Sequence, residues 1–485
     1  MEPSASRPEQ KSQSTTRPGD RSPGRQRWRR ALAIVGRRAA LAVRVPLRRV
    51  VAAWSRLRPA QQLTLGFASY AAIGTALLCL PWAQQKPAGV VDHLFTVTSA
   101  ISTTGLSTVS VGETYTFFGE IVILALFQLG GVGYMTLSSV IILARGKPLS
   151  QARTEVLRAG FSVPHYFVIS RFIVHVAVFT LAIESIGTAV MWWRFSALGL
   201  AQPLWSALFH TVSAFATAGF SLNKNSLESF AGDWIVNLAI GVLCYLGAIG
   251  FIVVQDVWYS LKWREHMITF TSKVILTMTA LVFVVGTVAL LLIEPSISAL
   301  PFGQRLMACS FQVMTASSTA GFNTIPISTL SVAALLVLSL AMVIGASPSG
   351  TGGGIKTTCV SALLANLGSV LRGRDRVLWL GHEVPLIRVL YAVAATTLYL
   401  SLLAGGVIVL SLVERSELLS LLFEAASALG TVGLSLGITA DLSTAAKLIL
   451  VILMFAGRCG PLTLGLALLR PDHPAGSPPR DDLAV

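Results

Sequence analysis

The sequence predicts an all-α polytopic membrane protein: four helix, pore-loop, helix repeats, eight spanning helices in all, around a central pore. Three observations predict it. Of 485 residues 53% are hydrophobic and only 12% charged. Apolar runs of about the 20 residues needed to cross a bilayer recur along the chain. One thirteen-residue pattern, Phe, three residues, Ser or Thr, Ala, two residues, Thr, any residue, Gly, Leu or Phe, Ser or Asn, occurs four times, starting at Phe95, Phe209, Phe311 and Phe423.

The formal net charge of +15 conflicts with so apolar a composition until it is placed. Residues 1–58 hold 15 of the 37 Lys and Arg against Glu2, Glu9 and Asp20, a balance of +12. The remainder is almost neutral, so the chain reads as a membrane body with a basic arm. An ordinary soluble enzyme is excluded, because one aqueous core cannot cover that much apolar surface. Cys79, Cys244, Cys309, Cys359 and Cys459 are far apart, odd in number and set in apolar stretches, which fits small packing residues rather than disulfides or a zinc site.

Spanning segments are expected near 61–82, 121–144, 172–193, 234–255, 274–293, 331–371, 389–413 and 448–469, the sixth interrupted. Between the members of each pair lies a half-length, semi-apolar stretch, near 91–103, 203–217, 305–319 and 416–431, too short to cross and so expected to dip in and return. Arg145, Lys147, Arg153, Arg158 and Arg171 make one connecting loop basic, as do Lys262, Arg264 and Lys273 another, whereas the hairpin-bearing loops are neutral or acidic. Basic loops stay in the cytoplasm, so both termini are expected there and the hairpins enter from outside.

The motif glycines, Gly105, Gly219, Gly321 and Gly433, are 114, 102 and 112 residues apart. A second cluster of small residues follows each, at Gly130-Gly131, Gly247-Ala248, Gly345-Ala346 and Gly457, where a second helix can approach its neighbours closely. Two crossings per repeat give all four copies one orientation, so their symmetry axis runs along the membrane normal and the hairpins surround one path. Non-helical backbone at that depth must be buried or line a hydrated cavity, and a dehydrated monovalent cation satisfies inward-turned carbonyls. The expected ion-binding residues are Thr103, Thr104, Gly105, Thr217, Ala218, Gly219, Thr319, Ala320, Gly321, Thr431, Val432 and Gly433. The competing explanation, that Thr-x-Gly merely ends a buried helix, suits one copy better than four.

Together with Gln128-Leu-Gly-Gly-Val-Gly-Tyr-Met-Thr136, Ala346-Ser-Pro-Ser-Gly-Thr-Gly-Gly-Gly-Ile-Lys-Thr-Thr358 and Met454-Phe-Ala-Gly-Arg-Cys-Gly-Pro-Leu-Thr463, the four motifs make residues 60–470 resemble the Trk/Ktr/HKT superfamily of cation transporters, most closely its KtrB-like subunits. The resemblance implies a potassium-translocating subunit that forms homodimers and binds a cytosolic ring of nucleotide-binding regulatory subunits of the KtrA or TrkA kind. Glycine at all four hairpins implies potassium preference, with a sodium-permeable or sodium-coupled member as the alternative and sodium as a possible activator.

Leu306 to Ile355 is 50 residues without a charge, broken by Pro348 and by Gly350, Gly352, Gly353 and Gly354. Residues 346–356 are accordingly expected to line a cavity, and the resemblance makes them an intramembrane gate, with Ser349, Gly350, Thr351, Gly352, Gly353, Gly354 and Lys356 in it. A Walker loop is excluded because Ile355 stands between Gly354 and Lys356. Arg458 is the only charge between Leu448 and Leu469 and must face water or a partner. The resemblance points it at the ion path as an electrostatic barrier, against a structural pair with Glu184 or Asp256. Lys356 either contacts cavity carbonyls or marks the loop's cytoplasmic edge.

The divisions read from these features are a cytoplasmic basic arm at 1–58, disordered and then amphipathic; repeat 1 at 59–145; repeat 2 at 146–260; repeat 3, with the gate loop, at 261–372; repeat 4 at 373–470; and a cytoplasmic tail at 471–485. The arm is expected on anionic inner-leaflet lipid rather than on nucleic acid. No catalytic residues, no cofactor and no transition-metal site are expected, since no nucleophile, base and orienter fall together. A multi-pass place in the cell membrane follows.

Overall fold

A computed structural model describes residues 57–133, 168–262 and 268–468, with scattered positions between 136 and 157. The basic arm, most of the first basic loop, Arg264, Tyr134, Met135 and the tail lie outside the described residues.

Helices come in the expected order. Repeat 1 contains α1 (Pro59–Leu78), the short α2 (Val90–Ile101) and α3 (Phe117–Val132). Repeat 2 contains α4 (Ile169–Ala197), the short α5 (Pro203–Phe215), α6 (Trp234–Ala248) and α7 (Phe251–Lys262). Repeat 3 contains α8 (Phe270–Ile293), the short α9 (Phe302–Ser317), α10 (Val332–Val343) and α11 (Thr357–Val370). A two-stranded antiparallel ribbon, β1 (Leu378–Trp379) and β2 (His382–Glu383), leads to repeat 4, with α12 (Leu386–Val413), the short α13 (Leu418–Gly430), α14 (Thr444–Cys459) and α15 (Pro461–Leu468). The short helices fall where the semi-apolar stretches were read.

The spanning segments differ from expectation in one systematic way, since only the sixth was expected to be interrupted. Among the described residues α4, α8 and α12 are each long and apolar enough to cross alone, and α6 with α7 makes a further candidate span bent by 97°. The second helix of every repeat is broken: α3 stops at Gly133 (φ 86°), α6 before Gly250 (φ 95°), α10 at the glycine loop and α14 at Gly460 (φ 80°). Left-handed backbone cannot continue a right-handed helix, and hydropathy is blind to it because glycine does not interrupt an apolar run. All four of these helices start alike, each with a side-chain cap, from Thr116, Asp233, Ser331 and Ser443. A cap contributes about 1 kcal/mol, and fixes where the descending helix begins.

The core joins consecutive repeats through the motif phenylalanines. Phe209 of repeat 2 is buried in the cluster built by α1, α2 and α3, and Phe311 of repeat 3 in that of repeat 2. Phe95 of repeat 1 is buried with Phe423 among residues of repeats 3 and 4, which closes the circle. Of the five cysteines, all free, Cys244 and Cys309 are buried as packing residues, while Cys79 is exposed.

Candidate functional site

Each short helix ends in the same way. Thr103, Thr217, Thr319 and Thr431 are left-handed, with φ of 54°, 51°, 57° and 52°. Their N–H groups donate to the carbonyls of Ala100, Ala214, Ala316 and Ala428, and the next N–H donates five residues back, to Ser99, Ser213, Thr315 and Ser427, at 2.8 to 2.9 Å. That pair of bonds is a Schellman ending. The helix is thus terminated by a threonine, a β-branched residue that seldom adopts this conformation, and the motif glycine two residues on has another task.

That task is close approach. A Cβ on Gly105 would lie 2.6 Å from the Ala218 carbonyl oxygen, and one on Gly219 2.5 Å from that of Ala320. Gly321 likewise abuts the Val432 carbonyl, and Gly433 the Thr104 carbonyl. The four contacts run 105 to 219 to 321 to 433 and back to 105, so Thr104, Ala218, Ala320 and Val432 present their carbonyls around one closed ring. Sequence reading placed these twelve residues together, and the structure brings them together.

It did not assign the Ser or Thr of the motif. Ser99 Oγ accepts from the Gly105 N–H and Ser427 Oγ from the Gly433 N–H, each at 3.0 Å, while Ser213 Oγ donates to the Phe220 carbonyl. An N–H held outward by a hydroxyl fixes the plane of its peptide, and hence the direction of the preceding carbonyl. The signal was visible: a small hydroxyl six residues before each glycine has no role in a plain helix.

The glycine loop packs against the left-handed threonines. Thr103 Oγ1 donates to the Thr351 carbonyl at 3.3 Å, and Thr217 Oγ1 and Thr351 Oγ1 are 3.0 Å apart. Added Cβ atoms on Gly352 and Gly353 would strike Thr319 Oγ1 and Thr431 Oγ1. One three-residue stretch of loop, 351–353, therefore touches all four hairpins. Ser349 turns left-handed (φ 59°), and its hydroxyl accepts from the Ile252 N–H at the start of α7. Gly350 reaches the Ala248 carbonyl, and Gly354 (φ 72°) packs on Gly345.

Two cations fasten the loop. Arg458 Nη1 donates to Thr103 Oγ1 at 3.0 Å and to the Thr351 carbonyl, and Nη2 to the Gly130 carbonyl. Its partners are hydroxyl and backbone oxygens from the first and third repeats, not Glu184 or Asp256. Glu184 is instead bonded by Gln128 Nε2 at 3.0 Å, and Asp256 accepts from the N–H and hydroxyl of Thr269. Lys356 Nζ donates to the Gly352 carbonyl at 2.7 Å. Loop, Arg458, Lys356, Gly131, Tyr399 and Phe67 line a cavity of 310 Å³.

At the other end of α2, Asp92 Oδ1 meets Lys447 Nζ of α14 at 3.1 Å, a pair that sequence reading missed because 355 residues separate its members. Burial raises the Asp92 carboxyl, but the surrounding polar groups, the Lys447 ammonium among them, outweigh it and leave the group below its ordinary value.

This arrangement has known counterparts. The TrkH family, described as cation transport protein, matches residues 59–475. The chain belongs to the TrkH cation transport family. Among TrkH-family relatives, the Ktr system potassium uptake protein B of Bacillus subtilis (strain 168) is 34% identical over 417 residues, covering 84% of this chain and 93% of that protein. The protein of the same name from Vibrio alginolyticus is also 34% identical, covering 84% and 91%. The potassium/sodium uptake protein NtpJ of Enterococcus hirae is 32% identical, covering 85% and 93%. The crystal structure of the potassium transporter TrkH from Vibrio parahaemolyticus shares the fold, with a TM-score of 0.67 at 20% identity over 84% of this chain and 83% of that one. This TrkH-family chain is a multi-pass membrane ion transporter and not an enzyme.

Proposed function

We propose that the chain is the pore-forming, potassium-translocating subunit of a Ktr/Trk-type uptake system in the cell membrane. The observation that carries this reading is the closed ring of Gly105, Gly219, Gly321 and Gly433, each too close to the next repeat's carbonyl to hold a side chain. Four inward carbonyls replace the hydration shell of a monovalent cation without a fixed carboxylate on the path. Below the ring, residues 346–356 obstruct the path, and Arg458 adds a positive barrier that keeps the protein from conducting as an open channel. For an ion to pass, the loop must leave the four threonines.

In this reading the four hairpins enter from outside, both termini are cytoplasmic, and the arm rests on anionic inner-leaflet lipid. The pore works within a homodimer under a cytosolic nucleotide-binding ring, with sodium as an activating ion and no cofactor in the chain itself. The names of the Bacillus and Vibrio relatives, each belonging to a Ktr system, support partner subunits. The name of the Enterococcus relative favours a second reading, sodium permeation through the same ring.

The test is potassium rescue of an uptake-deficient cell by the full chain with a regulatory subunit, compared with Gly105→Ser. Rescue by the wild type and a shift toward sodium in the mutant are expected. No rescue by expressed, inserted wild type would overturn potassium uptake, and sodium uptake in its place would select the second reading.

A further inference from the structure

The residue directly after each motif phenylalanine occupies one equivalent place in the four short helices: Thr96, His210, Gln312 and Glu424. All four are at most 1% exposed, which is unusual for such polar side chains and calls for buried partners. In three repeats those partners belong to the strand of chain leaving the ring. His210 Nδ1 faces the Ser206 carbonyl at 2.7 Å and must donate to it, so Nε2 is the acceptor for the Ser221 hydroxyl 2.9 Å away. Gln312 Nε2 donates to Thr324 Oγ1 at 3.3 Å. Glu424 accepts from Ser435 Oγ at 2.6 Å, from the Leu436 N–H at 3.1 Å and from Thr439 Oγ1 at 2.8 Å.

Ser221 and Ser435 stand two residues past their ring glycines and Thr324 three residues past. Three chemically different side chains thus reach the same stretch of the outgoing chain from the same helical position. Common burial does not require that, because an apolar residue would fill each place without a bond. Thr96 lacks the reach, and its hydroxyl bonds nothing in the segment after Gly105.

We propose that His210, Gln312 and Glu424 are specificity-determining positioning residues: each ties its hairpin's outgoing limb to the helix that precedes it and so fixes the width of the carbonyl ring. The inference rests on the ring being the ion path. In these three hairpins the ring glycine lies between two fixed points, the Schellman ending on one side and this tie on the other. Releasing the outer point lets the peptide planes tilt, and a ring that adjusts to the ion discriminates less between potassium and the smaller sodium ion.

The experiment is rubidium uptake by cells expressing the full chain with a regulatory subunit, with sodium as competitor, in Gln312→Leu and His210→Leu, in the partner-side variants Thr324→Val and Ser221→Ala, and in Thr96→Val. Each tie-breaking variant is expected to lower the preference for rubidium over sodium about five-fold, the effect of one lost hydrogen bond. Gln312→Leu combined with Thr324→Val is expected to be no worse than either alone, because both remove one bond. Thr96→Val is expected to change nothing. Partner-side variants keep the test decisive where a helix-side variant fails to insert. An unchanged ion preference with only a reduced amount of inserted protein would overturn the proposal, as would an equal shift in Thr96→Val. Absence of rubidium uptake in the wild type would instead count against the ion-path reading itself.

Discussion

Arg458 donates to the backbone carbonyl of Thr351, so a deep charge of the fourth repeat holds a loop that belongs to the third. The same nitrogen bonds Thr103 in the first repeat. A charge-assisted bond contributes about 1.5 to 3 kcal/mol, so losing these contacts frees the loop substantially.

Arg458→Gln is accordingly expected to raise potassium flux at least roughly ten-fold and to weaken its voltage dependence. Lys356→Met, which removes the single bond to the Gly352 carbonyl, is expected to act in the same direction by less. Whole-cell or proteoliposome flux measures both, and unchanged flux in Arg458→Gln would show that the guanidinium is structural.

Gly321→Ala should abolish uptake without preventing insertion into the membrane. The added methyl meets the Val432 carbonyl, and neither backbone segment can retreat from a ring closed on itself. Uptake by inserted mutant protein at the wild-type rate would contradict the ring geometry.

Ser99→Ala and Ser427→Ala leave the Gly105 and Gly433 N–H groups without their acceptors. Each should cost about 1 kcal/mol of stability and lower potassium preference over sodium several-fold. Competition by sodium during rubidium uptake reads the second effect separately from expression.

The Asp92 and Lys447 pair predicts an acid window. Because the folded carboxyl lies below the ordinary value of 3.8, its contribution is complete above that value and is lost as pH falls through the lower, folded one. Purified protein should therefore lose thermal stability below about pH 4, and Asp92→Asn should lower stability by about 2 kcal/mol at neutral pH while flattening that acid limb. A mutant that melts like the wild type at neutral pH would remove the pair from the account.

Much of this architecture was legible because it repeats. Four Phe to Gly motifs placed the short helices within a few residues of α2, α5, α9 and α13, and placed the ring itself. The breaks at Gly133, Gly250 and Gly460 were not legible, since apolar periodicity continues across them. The partners of Arg458 were hidden for another reason: backbone carbonyls accept hydrogen bonds at every residue and leave no mark on composition. The ties from His210, Gln312 and Glu424 escaped because three unlike residues at one position look like absence of a pattern until the bonds are seen.

The left-handed threonines that end the short helices are also the surface on which the glycine loop rests. Under the proposed function, the part of the protein that sorts ions and the part that stops them therefore share a face, with no spacer in between. A genetic screen for leaky variants should keep returning permissive ones, and evolution cannot retune one property here without auditioning the other.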